Sequence, residues 1–207
     1  MKNIVAIDVG NSETTVGVGN NLSWKSYRYT TRKTITSDEL FMMFKTTIDP
    51  ESINDENLDG SIICSVVPQI TDSVIEATKR FTSKTVKNVG PGIKTGLKVN
   101  IDNPKELGPD RIANSVGGFK MAKKTVVIID LGTATTFDIV NNKKEYLGGS
   151  IAPGIKISLE ALTSKTSSLK SVEISNPKSV IGKNTYEAIQ SGLILGHASM
   201  IDSMLEK

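Results

Sequence analysis

The chain has 207 residues, with 25 lysines and arginines against 22 aspartates and glutamates, a net charge of +3, one histidine and one cysteine. That length buries a sizeable core in one large or two small domains, and the mixed charge leaves no electrostatic footprint for nucleic acid or a membrane surface, while a small anionic ligand stays open. With only His197 and Cys64 available, transition-metal sites of the usual ligand spacing and triads pairing His with Ser or Cys are excluded.

In chain order, residues 2–9 read as a buried strand, and Asn11 and Ser12 turn into the alternating run TTVGVG, its hairpin partner. The opening MKNIVAIDVG is far too polar for a signal-peptide core, and no later run approaches spanning length, so a cytoplasmic protein is expected. A third strand is expected at 26–30. Thr36 or Ser37 can cap a helix through LFMMFKTTI, whose apolar residues recur at helical spacing. A short apolar strand, GSIICSVV, follows, and Cys64 inside it reads as a small core residue of a reducing compartment. Pro68 then opens a helix to about Thr82 with Ile70, Val74, Ala77 and Phe81 on one face.

The segment 89–109, VGPGIKTGLKVNIDNPKELGP, is too rich in glycine and proline for regular structure and reads as a working loop or a linker. A helix is expected over 110–120, a strand pair at 125–131 and 134–140, a turn at NNKK, a strand at YLGGSIA and a helix entered through Pro153. A polar connection, TSKTSSLKSVEISNPKS, leads to a last helix from about Asn184 to the end.

Two stretches match: IVAIDVGNSETTVGV at 4–18 and VVIIDLGTATTFDIV at 126–140. Asp8 and Asp130 are 122 positions apart (130 minus 8), too far for a solenoid unit and about right for a duplicated domain. The expected domains are therefore 1–121 and 122–207, the second lacking its last elements. A carboxylate ending a buried strand can hold a hard cation, and a small-residue turn behind it lets backbone N–H groups reach phosphate oxygens. Asp110 and Arg111 stand where a Gly-Pro turn passes into a helix. They suit a base for a substrate hydroxyl beside an anion grip, or equally an N-cap and a solvated helix residue.

Taken together, DVGNS at 8–12, VGPGIKTGL at 89–97, DNP and GPDRIAN within 102–114, IDLGTATTFD at 129–138, GGSIAPGI at 148–155 and IGKNTYEAIQSG at 181–192 resemble the type III pantothenate kinases. The resemblance implies an α/β fold of duplicated ribonuclease-H-like, actin-like domains, shared with acetate kinase, hexokinase and Hsp70. It implies phosphorylation of pantothenate by ATP, the first step of coenzyme A biosynthesis, with Mg2+ and a monovalent cation, K+ or NH4+. Carried over by residue, Asp8, Gly10, Asn11 and Ser12 form the first phosphate loop, and Gly132, Thr133 and Thr135 belong to the second. Asp130 lies near the monovalent cation, and Asp8 is a second metal candidate. Asp110 matches the catalytic base, Gly108 and Arg111 complete the substrate motif, and Thr185 matches a residue reaching pantothenate from the neighbouring subunit of a homodimer.

The chain departs from that pattern in places. Ile101 stands where the family usually has tyrosine, and Pro109 where it has alanine. Lys165, Thr166, Ser167, Leu169 and Lys170 replace a common Arg-Thr-Ala and Leu-Pro wall, and the Thr-Gly-Gly turn near the adenosine, which follows the last helix in the family, is absent. The alternatives are a non-catalytic nucleotide-binding or regulatory relative on the same fold, and a kinase for another small hydroxy acid.

Overall fold

The computed structural model describes residues 2–49, 53, 57–90, 92–164 and 172–207. The departures at Lys165, Thr166, Ser167, Leu169 and Lys170 lie outside the described residues.

The first half runs β1 (Asn3–Val9), β2 (Glu13–Gly19), β3 (Trp24–Thr30), α1 (Ser37–Thr47), β4 (Leu58–Ser65), α2 (Pro68–Thr82) and β5 (Val86–Asn88). Its five strands form one sheet in the order β3-β2-β1-β4-β5. β1 is antiparallel to β2, β2 to β3, and β4 runs parallel to both β1 and β5. Alternation sets the register: Val5, Ile7 and Val9 on β1 and Val16 and Val18 on β2 are buried together, and a slip of one residue would turn them outward.

Helix α1 starts where Thr36 closes a capping box: its hydroxyl accepts from Glu39 N at 3.2 Å, and Glu39 Oε2 accepts from Thr36 N at 2.9 Å. Leu40 and Phe44 are its buried residues, and Phe44 lies between the rings of Tyr29 (6.1 Å) and Phe81 (5.7 Å). Truncating such a residue to alanine typically costs about 3–5 kcal/mol. Helix α2 covers the expected span, buries Ile70, Val74 and Ala77, and ends at Ser83 in the left-handed conformation.

The second half contains β6 (Lys98–Val99), a 3-10 turn (Pro104–Glu106), α3 (Pro109–Ala122), β7 (Val126–Leu131), β8 (Ala134–Val140), β9 (Glu145–Pro153), α4 (Ile155–Ser164) and α5 (Thr185–Leu205). Its sheet has the order β6-β9-β8-β7. The run β9-β8-β7 repeats β3-β2-β1, which is the duplication that the two matched stretches announce. β5 and β6 are absent from the sequence expectation because each is two or three residues long and forms by pairing: β5 against β4, and β6 parallel to β9, with Lys98 Nζ 2.9 Å from Glu145 Oε1.

Contacts divide the chain into one compact unit of Met1–Val127 with Asp138–Gly148, and another of Ile128–Phe137 with Gly149–Lys207. The division cuts through the strands of the second sheet, whereas the sequence repeat alone put a boundary at 121/122. Pro153 ends β9 and does not open a helix; α4 begins at Ile155, after Gly154 N has donated to Thr133 O at 3.1 Å.

Candidate active site

Asp8 is the penultimate residue of β1, exposed, and flanked in register by Thr15 of β2 and Cys64 of β4. The hairpin closes tightly after it, Gly10 N donating to Glu13 O at 3.0 Å, so Asn11 and Ser12 alone span the turn and are exposed. Thr31, just past β3, braces this turn. Its hydroxyl donates to Gly10 O at 2.7 Å and lies 2.8 Å from the hydroxyl of the buried Thr14, while its amide donates to Ser12 O at 3.1 Å.

The buried Cys64 stands opposite Asp8 in the register of β1 and β4 and feels a second carboxylate, Asp110. Burial pushes its thiol up to about 12, and the negative charges of Asp8 and Asp110 act in the same direction. The thiol is therefore protonated at neutral pH and works as packing, not as a nucleophile. Asp8 and Asp110, 102 positions apart in the chain (110 minus 8), thus both act on this thiol.

Asp110 owes its placement to the entry into α3. Gly108 is the N-cap and Pro109 the first helical residue, so Asp110 lies in the first turn, where helix dipole favours a carboxylate. It is not the N-cap, one of the two roles the sequence left open. Its Oδ1 accepts from Arg111 N at 2.8 Å and folds back over Gly108, where a Cβ would lie 2.4 Å from that oxygen. Gly108 is thus a space requirement of the Asp110 side chain.

Arg111 is less free than an open anion grip. Its Nε donates to Asp138 Oδ1 at 2.8 Å, and Nη2 lies 2.8 Å from the same oxygen as an ion pair without a hydrogen-bonding angle. Asp138 is fully buried, and Tyr146 Oη donates to its Oδ1 at 2.7 Å. Burial, then the bond to Asp138, raises the Tyr146 phenol above its ordinary value, so it remains a donor. One turn along α3, the buried hydroxyl of Ser115 has no hydrogen-bond partner among the described residues. Sequence reasoning assigned no role to Asp138 or Tyr146; the available signal was a carboxylate inside the apolar strand TTFDIV.

Ile101 is half-buried, with Cγ2 3.8 Å from where a Cβ on Gly148 would stand. Gly148 adopts φ +117°, which favours glycine.

The second unit holds the other D-x-G turn. Asp130 is half-buried near the end of β7, and Gly132 N donates to Ala134 O at 3.0 Å, closing the turn one residue sooner than in the first copy. Any side chain at Gly154 would collide with the carbonyl oxygens of Gly132 (2.3 Å) and Thr133 (2.6 Å). Thr133 is exposed, whereas Thr135 is buried with its hydroxyl 2.7 Å from His197 Nε2 on α5. Thr185 is exposed at the start of α5, just after the N-cap Asn184, whose Oδ1 accepts from Glu187 N at 2.9 Å.

Two clefts, of about 320 Å³ at the C-terminal end of α3 and about 450 Å³ around residues 175–190, are lined by none of these site residues. Among the described residues there is no group of three or more His, Cys, Asp or Glu that could hold a metal ion. Mg2+ needs no such group when it arrives with a polyphosphate, because one or two carboxylates complete its shell. The exposed Asp8, at the mouth of a backbone-lined turn, fits that donor set.

The strand order β3-β2-β1 recurs as β9-β8-β7, each run opening on a hairpin whose turn follows an aspartate, the arrangement of a duplicated ribonuclease-H-like α/β protein. The family model for type III pantothenate kinase matches residues 4–207. A type III pantothenate kinase of Halalkalibacterium halodurans is 40% identical over 205 residues, covering 99% of this chain and 81% of that protein. One of Pelobacter propionicus is 41% identical over 206 residues, with 99% and 81% covered. A solved Campylobacter jejuni structure, described as a Baf family transcriptional activator, superposes with a TM-score of 0.58 at 20% identity, covering 96% of this chain and 78% of that one, a likeness of fold. The chain belongs to the type III pantothenate kinase family.

Proposed function

We propose that the chain transfers the γ-phosphoryl group of ATP to the primary hydroxyl of pantothenate, giving 4'-phosphopantothenate in the first step of coenzyme A biosynthesis. The observation that carries this reading is the Asp110 carboxylate, held over Gly108 in the first turn of α3 beside Arg111, in a chain of the type III pantothenate kinase family. Phosphoryl transfer needs phosphates held, charge neutralised and the acceptor hydroxyl placed against a base; it asks little covalent work of the protein.

In this proposal Asp110 accepts the hydroxyl proton as the new P–O bond forms, and ADP leaves. Asp8, Gly10, Asn11 and Ser12 hold part of the polyphosphate, and Gly132 and Thr133 hold the rest, with Thr135 keeping their turn in shape through His197. Arg111, Gly108 and Ile101 shape the pocket for pantothenate. Asp8 is placed to share Mg2+ with the phosphates, and Asp130 to serve K+ or NH4+; these cations would neutralise charge developing in transfer. A homodimer in which Thr185 reaches the neighbouring subunit's substrate, working in the cytoplasm, completes the proposal. No helix among the described residues is long and apolar enough to cross a membrane.

A regulatory relative without turnover is disfavoured because Asp8, Asp110 and Asp130 are all present. The test is ATP-dependent phosphorylation of pantothenate with Mg2+ and K+, comparing the parent with Asp110→Asn. Loss of a general base typically costs about 10²–10⁴ in rate, so the variant should lose turnover while still binding ATP. Wild-type turnover by the variant would refute the role of Asp110, and a parent inactive on pantothenate would refute the kinase reading.

A further inference from the structure

We infer that Asp138 is a positioning residue for Arg111: together with Tyr146 it locks the guanidinium into one orientation, so that Arg111 meets the substrate carboxylate as a pre-set receptor. The inference rests on the proposed function, because it assigns Arg111 to an anionic acceptor substrate.

A carboxylate with no exposure is costly to bury unless it is paired and hydrogen-bonded. Asp138 has no exposed surface, and its known donors come from two other elements, Arg111 in the first turn of α3 and Tyr146 on β9. Two charge-assisted hydrogen bonds converge on Oδ1, from Nε at 2.8 Å and from Tyr146 Oη at 2.7 Å, and Nη2 lies 2.8 Å from it as an ion pair.

The same tyrosine acts twice on the arginine. Its hydroxyl fixes Asp138, and its ring lies under Arg111, with Cζ 5.9 Å from the ring centroid. The Nε side of the guanidinium, with Nη2, is therefore committed to Asp138, and its Cζ stands over the Tyr146 ring. The remaining N–H edge is the part able to grip an anion, and its direction is fixed before any ligand arrives. A planar group with one edge anchored offers a geometry that a carboxylate matches and that a lysine could not reproduce.

A purely structural ion pair would harm every activity alike. A positioning pair weakens recognition of the substrate's negative charge and little else, so the two are separated by comparing pantothenate with its uncharged primary-amide analogue. Steady-state KM and kcat for both acceptors, and KM for ATP, would be measured for the parent, Asp138→Asn, Tyr146→Phe, Arg111→Lys and the double variant Asp138→Asn/Arg111→Lys.

A misplacement of about 1 Å in a positioned group can cost on the order of 10²-fold, and a rise of about ten- to hundredfold is expected in KM for pantothenate with Asp138→Asn. KM for ATP and for the amide should move by less than about threefold, and the double variant should be no worse than Arg111→Lys alone, because the effect runs through that arginine. Tyr146→Phe keeps the ring and should shift the pantothenate KM several-fold in the same direction. It decides the matter if Asp138→Asn does not fold. Equal losses on acid and amide, or additive losses in the double variant, would overturn the inference. Should the parent bind pantothenate without phosphorylating it, the kinase reading falls, and calorimetric affinities for acid and amide in these variants decide the positioning role by the same criterion. A parent that neither binds nor phosphorylates pantothenate overturns both.

Discussion

Gly108→Ala tests the proposed base by adding a single methyl group beside it. Alanine suits the backbone at this position, φ −58° and ψ 143°, so strain is not at issue. The new Cβ would lie 2.4 Å from Asp110 Oδ1, where real contacts stay above about 3.0 Å, so the carboxylate must retreat by at least about 0.6 Å. A misplacement of about 1 Å in a reacting group costs on the order of 10²-fold, so kcat should fall roughly ten- to hundredfold. Replacing glycine by alanine at an N-cap costs about 1 kcal/mol or less of stability, so a folded variant is expected. The assay is steady-state phosphorylation of pantothenate at saturating ATP, with thermal unfolding measured beside it. A folded variant with kcat within about twofold of the parent would show that the position of Oδ1 does not matter, and the assignment of Asp110 as base would go with it.

Thr31→Val removes the hydroxyl bonded to Gly10 O and leaves the buried Thr14 hydroxyl without this partner. A stability loss of about 1–3 kcal/mol is expected, together with a rise in KM for ATP larger than that for pantothenate; an unchanged KM for ATP would show that the turn needs no brace. Cys64 should resist alkylation by iodoacetamide in the folded protein at pH 8 to 9, since its thiol is pushed up from 9.0 to about 12. Its pKa is raised, so its contribution to stability is fully present below about 9.0 and is lost as pH climbs toward about 12. Asp8→Asn or Asp110→Asn should each lower that thiol pKa and speed alkylation, and a rate indifferent to both would contradict the clustering of these groups.

Much of the fold was legible because its signals are local. The capping box at Thr36 and Glu39, the proline opening α2 and the alternation of β1 and β2 each need only a few neighbouring residues to be read. The strands β5 and β6 exist only through partners, β4 and β9, that are distant in sequence, and no periodicity fits within two or three residues. The site divides the same way. Asp8, Gly108 and Asp110 announce themselves by position at a strand end and a helix start. Asp138, Tyr146, Thr31 and His197 do not, because each acts through a side-chain bond to another element, over separations of 27 residues for Arg111–Asp138 and 62 for Thr135–His197.

The two D-x-G turns are built differently. In the first, Gly10 pairs with Glu13, so two exposed polar residues, Asn11 and Ser12, form the tip, and the brace is a threonine just after the next strand. In the second, Gly132 pairs with Ala134, the tip shortens to Thr133, and the support comes from Gly154 and from His197 on a helix near the end of the chain. A longer polar tip can offer side-chain donors as well as backbone N–H groups, while the shorter one offers chiefly backbone. On the proposed function, the first turn would therefore add side-chain hydrogen bonds that select its ligand, and the second would rely chiefly on backbone N–H groups. Substitutions at Asn11 or Ser12 should accordingly be read out in ligand preference, while substitutions behind the second turn, at His197 or Gly154, act on whether that turn forms at all.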